Sequence, residues 1–241
     1  MAHAVNHLGQ PIGLPLNGWT PPPAPPREPM AGRCCRLEPL DVERHAADLF
    51  AAYSLDGGGG IWTYLPCGPF ENFAAYRAWL VAEALGNDPL FFTTIDRATD
   101  KAVGVISYLR IAPASGSIEV GHVNFSPFLS RTPAATEAQY LMMKRAFELG
   151  YRRYEWKCDS LNAPSRAAAQ RLGFSFEGVF RQAIVYKERS RDTAWYSVID
   201  SEWPALERAF VTWLDLENFD AEGRQRKRLS DLTRPILKQI G

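Results

Sequence analysis

Asn162-Ala163-Pro164-Ser165, followed by Ala168, Ala169, Leu172, Gly173 and Phe174, is the stretch on which the reading of the fold turns. It directly follows a β-rich run, 154–159, so the asparagine stands where a strand ends and a helix begins. An asparagine there can cap the first backbone amides of a helix over 164–172, which Pro164 opens and Gly173 stops. The same side chain can instead bind a ligand that crosses the helix mouth. The residues alone leave both uses open.

Outward from this corner, strands and helices alternate. Upstream, 133–149 carries Ala138, Leu141, Met142, Ala146 and Leu149 at helical spacing, with Gly150 as its stop. Strand-like runs cover 118–125, 102–109 and 90–95, the last two joined by a polar hairpin signal at 96–101. Helices are expected over 70–85 and over 42–53, the latter capped by Asp41, and a first strand over 35–40. Downstream, 179–185 and 194–198 read as strands and 202–216 as a helix. Gly57 to Gly60 are consecutive, but no GxxxxGK[ST] pattern accompanies them, so they read as a loop.

The ends differ in character. Residues 1–33 form a proline-rich arm, with Pro21-Pro22-Pro23 and Pro25-Pro26, whose Trp19 is expected to dock on the surface of the main unit at 34–200. Residues 201–241 form a helical extension ending in a basic tail at 224–228, which reads as a solvated face or as weak support for a ribosome- or RNA-associated factor.

With 241 residues, 46% hydrophobic and 22% charged, the chain can bury a sizeable core and is not disordered. Its 27 basic and 27 acidic residues cancel, so no global field draws it to nucleic acid or an anionic membrane. Four cysteines in no CxxC spacing point to a reducing cytoplasm, and neither a leader nor a run of about 18 apolar residues is visible. No spacing of His, Cys or acidic residues suggests a metal.

The spacing N-x-x-S-x-x-x-A-x-x-L-G-F over residues 162–174 resembles the late motif of the GNAT acyl-CoA N-acyltransferase superfamily. The resemblance extends over about 35–199. It is strongest to the ribosomal-protein-alanine N-acetyltransferase type, through Glu177-Gly178-Val179-Phe180-Arg181 and Arg191-Asp192-Thr193-Ala194-Trp195-Tyr196-Ser197. It implies a mixed α/β fold with a mostly antiparallel central sheet and flanking helices. It also implies direct transfer of an acetyl group from acetyl-CoA to a primary amine, on a small molecule or a protein N-terminus.

The resemblance assigns roles to residues. The pyrophosphate loop would be Arg131-Thr132-Pro133-Ala134-Ala135-Thr136, where helix-start amides and Arg131 favour an anion, although the family's usual glycines are replaced. Backbone amides of Val123, Asn124 and Phe125 on the fourth strand would stabilise the oxyanion, and Asn162 would touch the cofactor. The tyrosine that many members carry seven residues after the motif asparagine is Ala169 here, so Ser165 becomes the candidate acid for the thiolate, or simply a helix-start residue.

For the base, Glu119 and His122 both lie on the fourth strand, and strand alternation assigns them to opposite faces. Asp159 is a further acceptor-binding candidate. Trp62, Tyr64 and Phe70 fall in the loop that walls the acceptor side in this superfamily, either as specificity determinants or as a packed lid. Two other readings stand beside the enzyme: a catalytically weak acyl-CoA-binding module, suggested by the altered loop and the missing tyrosine, and the RNA-associated factor above. Whether the chain acts as a monomer or a homo-oligomer is not legible.

Overall fold

A computed structural model describes residues 3–241. Seven main strands are β1 (Cys35–Pro39), β2 (Leu90–Asp96), β3 (Lys101–Ala112), β4 (Ser117–Phe125), β5 (Arg153–Asp159), β6 (Ser175–Tyr186) and β7 (Arg189–Ile199). With a two-residue edge strand at Met30–Ala31 they form one sheet, ordered edge strand, β1, β2, β3, β4, β5, β7, β6. Every neighbouring pair is antiparallel except β4 and β5.

Strand alternation divides the apolar side chains between two cores. On β2, Phe92 joins the core under α3 (Pro133–Glu148) and α5 (Trp203–Leu214), whereas Phe91 joins the core under α1 (Val42–Tyr53) and α2 (Phe73–Glu83). On β3, Ile106 and Tyr108 face the first core and Val105 the second. The centre of the sheet is therefore buried on both faces, which explains why 90–95 reads as a nearly continuous apolar run.

Local chemistry sets the ends of the helices. The Asp41 carboxylate accepts from the amides of Glu43 and Arg44 and starts α1. α2 begins later than the sequence pattern suggests because Asn72 accepts from the Ala75 amide, leaving Phe70 in the preceding loop. α4 (Ala163–Arg171) is capped by Asn162, whose side chain accepts from the Ser165 amide. Gly173, at φ +92°, ends it; a Cβ there would lie 2.4 Å from Leu206 Cδ1 on α5.

Both terminal segments are bound to the sheet. Trp19 lies with the Arg152 guanidinium 5.9 Å from its ring, and Tyr151 donates its hydroxyl to the Pro23 carbonyl at 3.1 Å. The arm also contains a small ladder, Ala4–Val5 with Pro11–Ile12, that the proline pattern does not suggest. At the other end, Leu206, Phe210 and Leu229 are buried in the larger core, and the Gln239 carbonyl accepts from the Phe176 amide. Among the described residues no helix is long and apolar enough to cross a membrane.

Candidate active site

The parallel pairing of β4 with β5 runs only from Ser117 opposite Arg153 to Val120 opposite Trp156. Beyond it, β4 continues to Phe125 against β3, and β5 continues to Asp159 against β7. The two strands thus part, and a gap opens in the middle of the sheet. A cavity of about 1100 Å³ lies on the α3 and α4 side, and one of about 620 Å³ on the side of the loop between α1 and α2. Val123, Trp156 and Pro164 line both, so the cavities meet at the gap.

The larger cavity is cationic. Arg131 lines it from a left-handed conformation, φ +64°, in the turn before α3. Thr132 caps that helix, its hydroxyl accepting from the Ala135 amide at 3.2 Å and its carbonyl from the Thr136 amide at 3.4 Å. Thr136 is buried and its hydroxyl accepts from Arg171 Nη1 at 3.1 Å. Arg171 and Arg228 also line the cavity, and neither they nor Arg131 pair with a carboxylate among the described residues. Ala134 turns the other way: it is buried in the core, and its carbonyl faces the Cys35 thiol. Asn124 likewise points away from this cavity, while its neighbours Val123 and Phe125 line it, as strand alternation requires.

On the smaller side, Glu119 is buried between two cations. Arg110 Nη1 lies 2.8 and 2.7 Å from its oxygens, and Lys157 Nζ lies 2.8 Å from Oε2. Lys157 continues to Glu155 at 2.7 Å, and its ammonium sits 3.8 Å from the Trp195 ring centre. Glu119 and His122 line the same cavity, contrary to the alternation argument. Between the pairs Val105–Asn124 and Ser107–Gly121, one residue of β3, Ile106, opposes two of β4, His122 and Val123, and His122 sits in that bulge at φ +46°. The extra residue reverses which face the histidine points to. Burial, then the Arg110 charge, lowers its pKa to about 4, so the imidazole is neutral near pH 7.

Ser165 lines this cavity, and its Oγ accepts from Trp156 Nε1 at 3.0 Å. An indole N–H can only donate, so the serine proton is directed elsewhere. The neighbouring Cys158 thiol is pushed up by burial, an effect that its hydrogen bond with Ser165 opposes. Asp159 holds the Tyr186 hydroxyl at 2.8 Å and the Leu161 amide at 2.9 Å. Asn162, expected against the cofactor, lines the smaller cavity and uses its side-chain oxygen for the α4 cap. Of the three candidate aromatic residues of the loop, Trp62, Tyr64 and Phe70, only Tyr64 lines the cavity, beside Ile61, Leu65 and Pro66. Trp62 is buried against Tyr53, Phe70 and Tyr76, and Phe70 packs on Tyr76 and Trp79, so these two belong to the lid's own core.

The model of the acetyltransferase (GNAT) domain matches residues 35–175. The chain belongs to the GNAT acetyltransferase family. A GCN5-related N-acetyltransferase from Brucella melitensis is 50% identical over 91% of this chain and 100% of its own, with a TM-score of 0.89. A Chromobacterium violaceum chain assigned to the GNAT acetyltransferases is 46% identical over 81% of this chain and 98% of its own, with a TM-score of 0.76. RimJ of Mycobacterium smegmatis, in complex with CoA-disulfide, shares the fold: TM-score 0.64, 18% identity, 77% of this chain and 94% of that one. No curated protein matches.

In this GNAT chain the larger cavity suits an extended anion-bearing molecule such as CoA, because unpaired guanidinium groups gather at the helix start and an apolar channel leads from them to the gap. Several of its residues escape the motif. Trp213, Phe219, Arg224 and Arg228 come from the C-terminal extension, so the basic tail at 224–228 faces the cavity at Arg224, Gln225 and Arg228 instead of only solvent. Arg110 is also unsignalled; it reaches Glu119 from a bulge at φ +47° whose amides are held by Asp88. Lys157 does carry a signal, since Arg153, Glu155 and Lys157 alternate along one strand and a row of alternating charge on a central strand requires partners. Among the described residues no group of three or more acidic, His or Cys side chains is placed to hold a metal.

Proposed function

We propose that the protein transfers an acetyl group from acetyl-CoA directly to a primary amine, in a cytoplasm whose reducing conditions suit its four free cysteines. The observation that carries this reading is the meeting of a cationic cavity and a polar cavity at the gap between β4 and β5, lined on both sides by Val123, Trp156 and Pro164. Acetyl-CoA supplies an activated thioester, so no nucleophile from the protein is required. Arg131, Arg171 and Arg228 hold the phosphates at the start of α3, where the helix dipole favours an anion; the Ala135 and Thr136 amides are already taken by the Thr132 cap. Among the described residues the β4 edge from Gly121 onward has no strand partner on the β5 side, and of Val123 to Phe125 the amides flanking Asn124, whose own amide faces β3, are the donors for negative charge on the carbonyl oxygen.

Glu119 lines the pocket beside the gap and accepts the amine's proton through water, while Arg110 and Lys157 hold its carboxylate in place. His122 stays neutral beside it, with Ser107 Oγ 3.1 Å from Nδ1, and orients the acceptor. Ser165 donates a proton to the leaving sulfur, since its oxygen already accepts from Trp156. The test is acetyl-CoA-dependent thiol release across a panel of peptides and small amines. We expect release that requires both substrates; binding of acetyl-CoA without release for any amine would support the acyl-CoA-binding module instead.

A further inference from the structure

The walls of the smaller cavity are tied together by contacts between three elements. Lys187, Arg189 and Arg191 recur at every second position where β6 turns into β7. Lys187 Nζ donates to the Trp62 carbonyl at 2.8 Å, and Arg189 Nη2 to the Thr63 carbonyl at 2.8 Å. From that loop the Tyr64 hydroxyl reaches the Leu161 carbonyl at 3.2 Å, at the corner between β5 and α4. Loop, hairpin and corner are thereby tied together around about 620 Å³, a volume typical of small-molecule pockets.

Among the described residues, two charges of this pocket's lining have no ion-pair partner, Asp159, which neutral donors satisfy, and Arg191. Arg110 and Lys157 both meet Glu119, and Asp159 is held by Tyr186 and the Leu161 amide. Arg191 lines the pocket half-buried, with Nε donating to Thr193 Oγ1 at 3.1 Å, and no carboxylate pairs with it among the described residues. Its neighbour Asp192 is turned to the Gln182 amide, 2.6 Å away. A guanidinium kept partly out of water with its terminal N–H groups uncommitted favours a planar or tetrahedral anion.

We infer that the acceptor is a small amine bearing a carboxylate or phosphate, and that Arg191 binds this anionic group; the inference rests on the acetyl-transfer reading above. Selectivity then arises because a neutral amine of the same length leaves Arg191 without a partner. Tyr64 and the Phe180–Trp195 stack, with ring centres 4.4 Å apart, wall the space between the anion and the gap.

The experiment measures thiol release with β-alanine, 2-aminoethyl phosphate, n-propylamine and a peptide with a free N-terminus, using the full chain, Arg191→Gln and Arg191→Lys. At least one anionic amine should exceed n-propylamine in kcat/KM by about tenfold or more, and the better of the two identifies carboxylate or phosphate. Arg191→Gln should bring that ratio toward unity, while Arg191→Lys should retain part of it. Calorimetric binding of the favoured amine and of n-propylamine to the wild-type chain reads the same preference, should Arg191→Gln fold poorly. Equal use of neutral and anionic amines, a ratio untouched by Arg191→Gln, or preference for the peptide would overturn this inference and leave acetyl transfer standing. Transfer to none of these amines despite acetyl-CoA binding would overturn both.

Discussion

At the residue scale the informative feature is a single extra residue in β4. Without the bulge at His122, Glu119 and the histidine would face opposite sides of the sheet; with it, both reach the acceptor pocket. The proposed division of labour follows from their surroundings. His122 is buried neutral, so its folded pKa, about 4, lies below its ordinary value. As pH falls from about 6.5 through 4, the unfolded chain takes up a proton that the folded chain resists, and stability is lost over that window. A shift of this size corresponds to roughly 3 kcal/mol at most. We expect His122→Gln to flatten the acid limb of urea-unfolding free energy between about pH 6.5 and 4; an unchanged limb would refute the buried-neutral assignment. In turnover, Glu119→Gln should slow the reaction most at low pH, where few acceptor amines are deprotonated. If the pH–rate profile survives Glu119→Gln and loses its acid limb in His122→Gln, the proposed base moves to the histidine.

At the element scale, α4 connects the motif to the core. Asn162 caps it, Ser165 on its first turn lines the acceptor pocket, and Gly173 lets α5 approach its end. The glycine is required twice over, by its positive φ and by the closeness of Leu206. Gly173→Ala should therefore destabilise the protein by about 1–3 kcal/mol, from backbone strain plus overpacking. Adding Leu206→Ala should recover only the overpacking part, a non-additivity that a thermal or urea double-mutant cycle reads directly. Simple additivity would mean that Leu206 is not the obstacle.

At the scale of the whole molecule, the C-terminal extension is joined to the proposed cofactor site. Trp213 and Phe219 wall the larger cavity, Arg224 and Arg228 face it, and Arg224 is already paired with Asp220 and Glu222. Arg228 is free of such pairing among the described residues, so under the proposed function it carries the extension's electrostatic contribution. Arg228→Ala should weaken acetyl-CoA binding by about tenfold and reduce its salt dependence, with little change in melting temperature. Calorimetry at low and high salt checks both effects, and unaltered affinity would reduce the extension to a packing element.

The order of the elements, the caps at Asp41 and Asn162 and the glycine stops were legible in the sequence because each depends on neighbours a few residues apart. The N-x-x-S to L-G-F spacing likewise carried the family, which the domain match over 35–175 bears out. What tertiary structure alone decided was orientation and partnership across long separations. A bulge reverses a strand's facing; at His122 the preceding Gly121 was its one local mark, whereas the bulge at Arg110 has no adjacent glycine or proline. Trp62 looks like a pocket wall in sequence and is a core residue because Tyr53 and Tyr76 surround it. Whether a cation is neutralised depends on carboxylates far away in the chain: Lys157 finds Glu119, whereas Arg191 finds none among the described residues. Periodicity encodes which residues form an element, but charge compensation and the closing of a cavity are set by the three-dimensional packing of those elements.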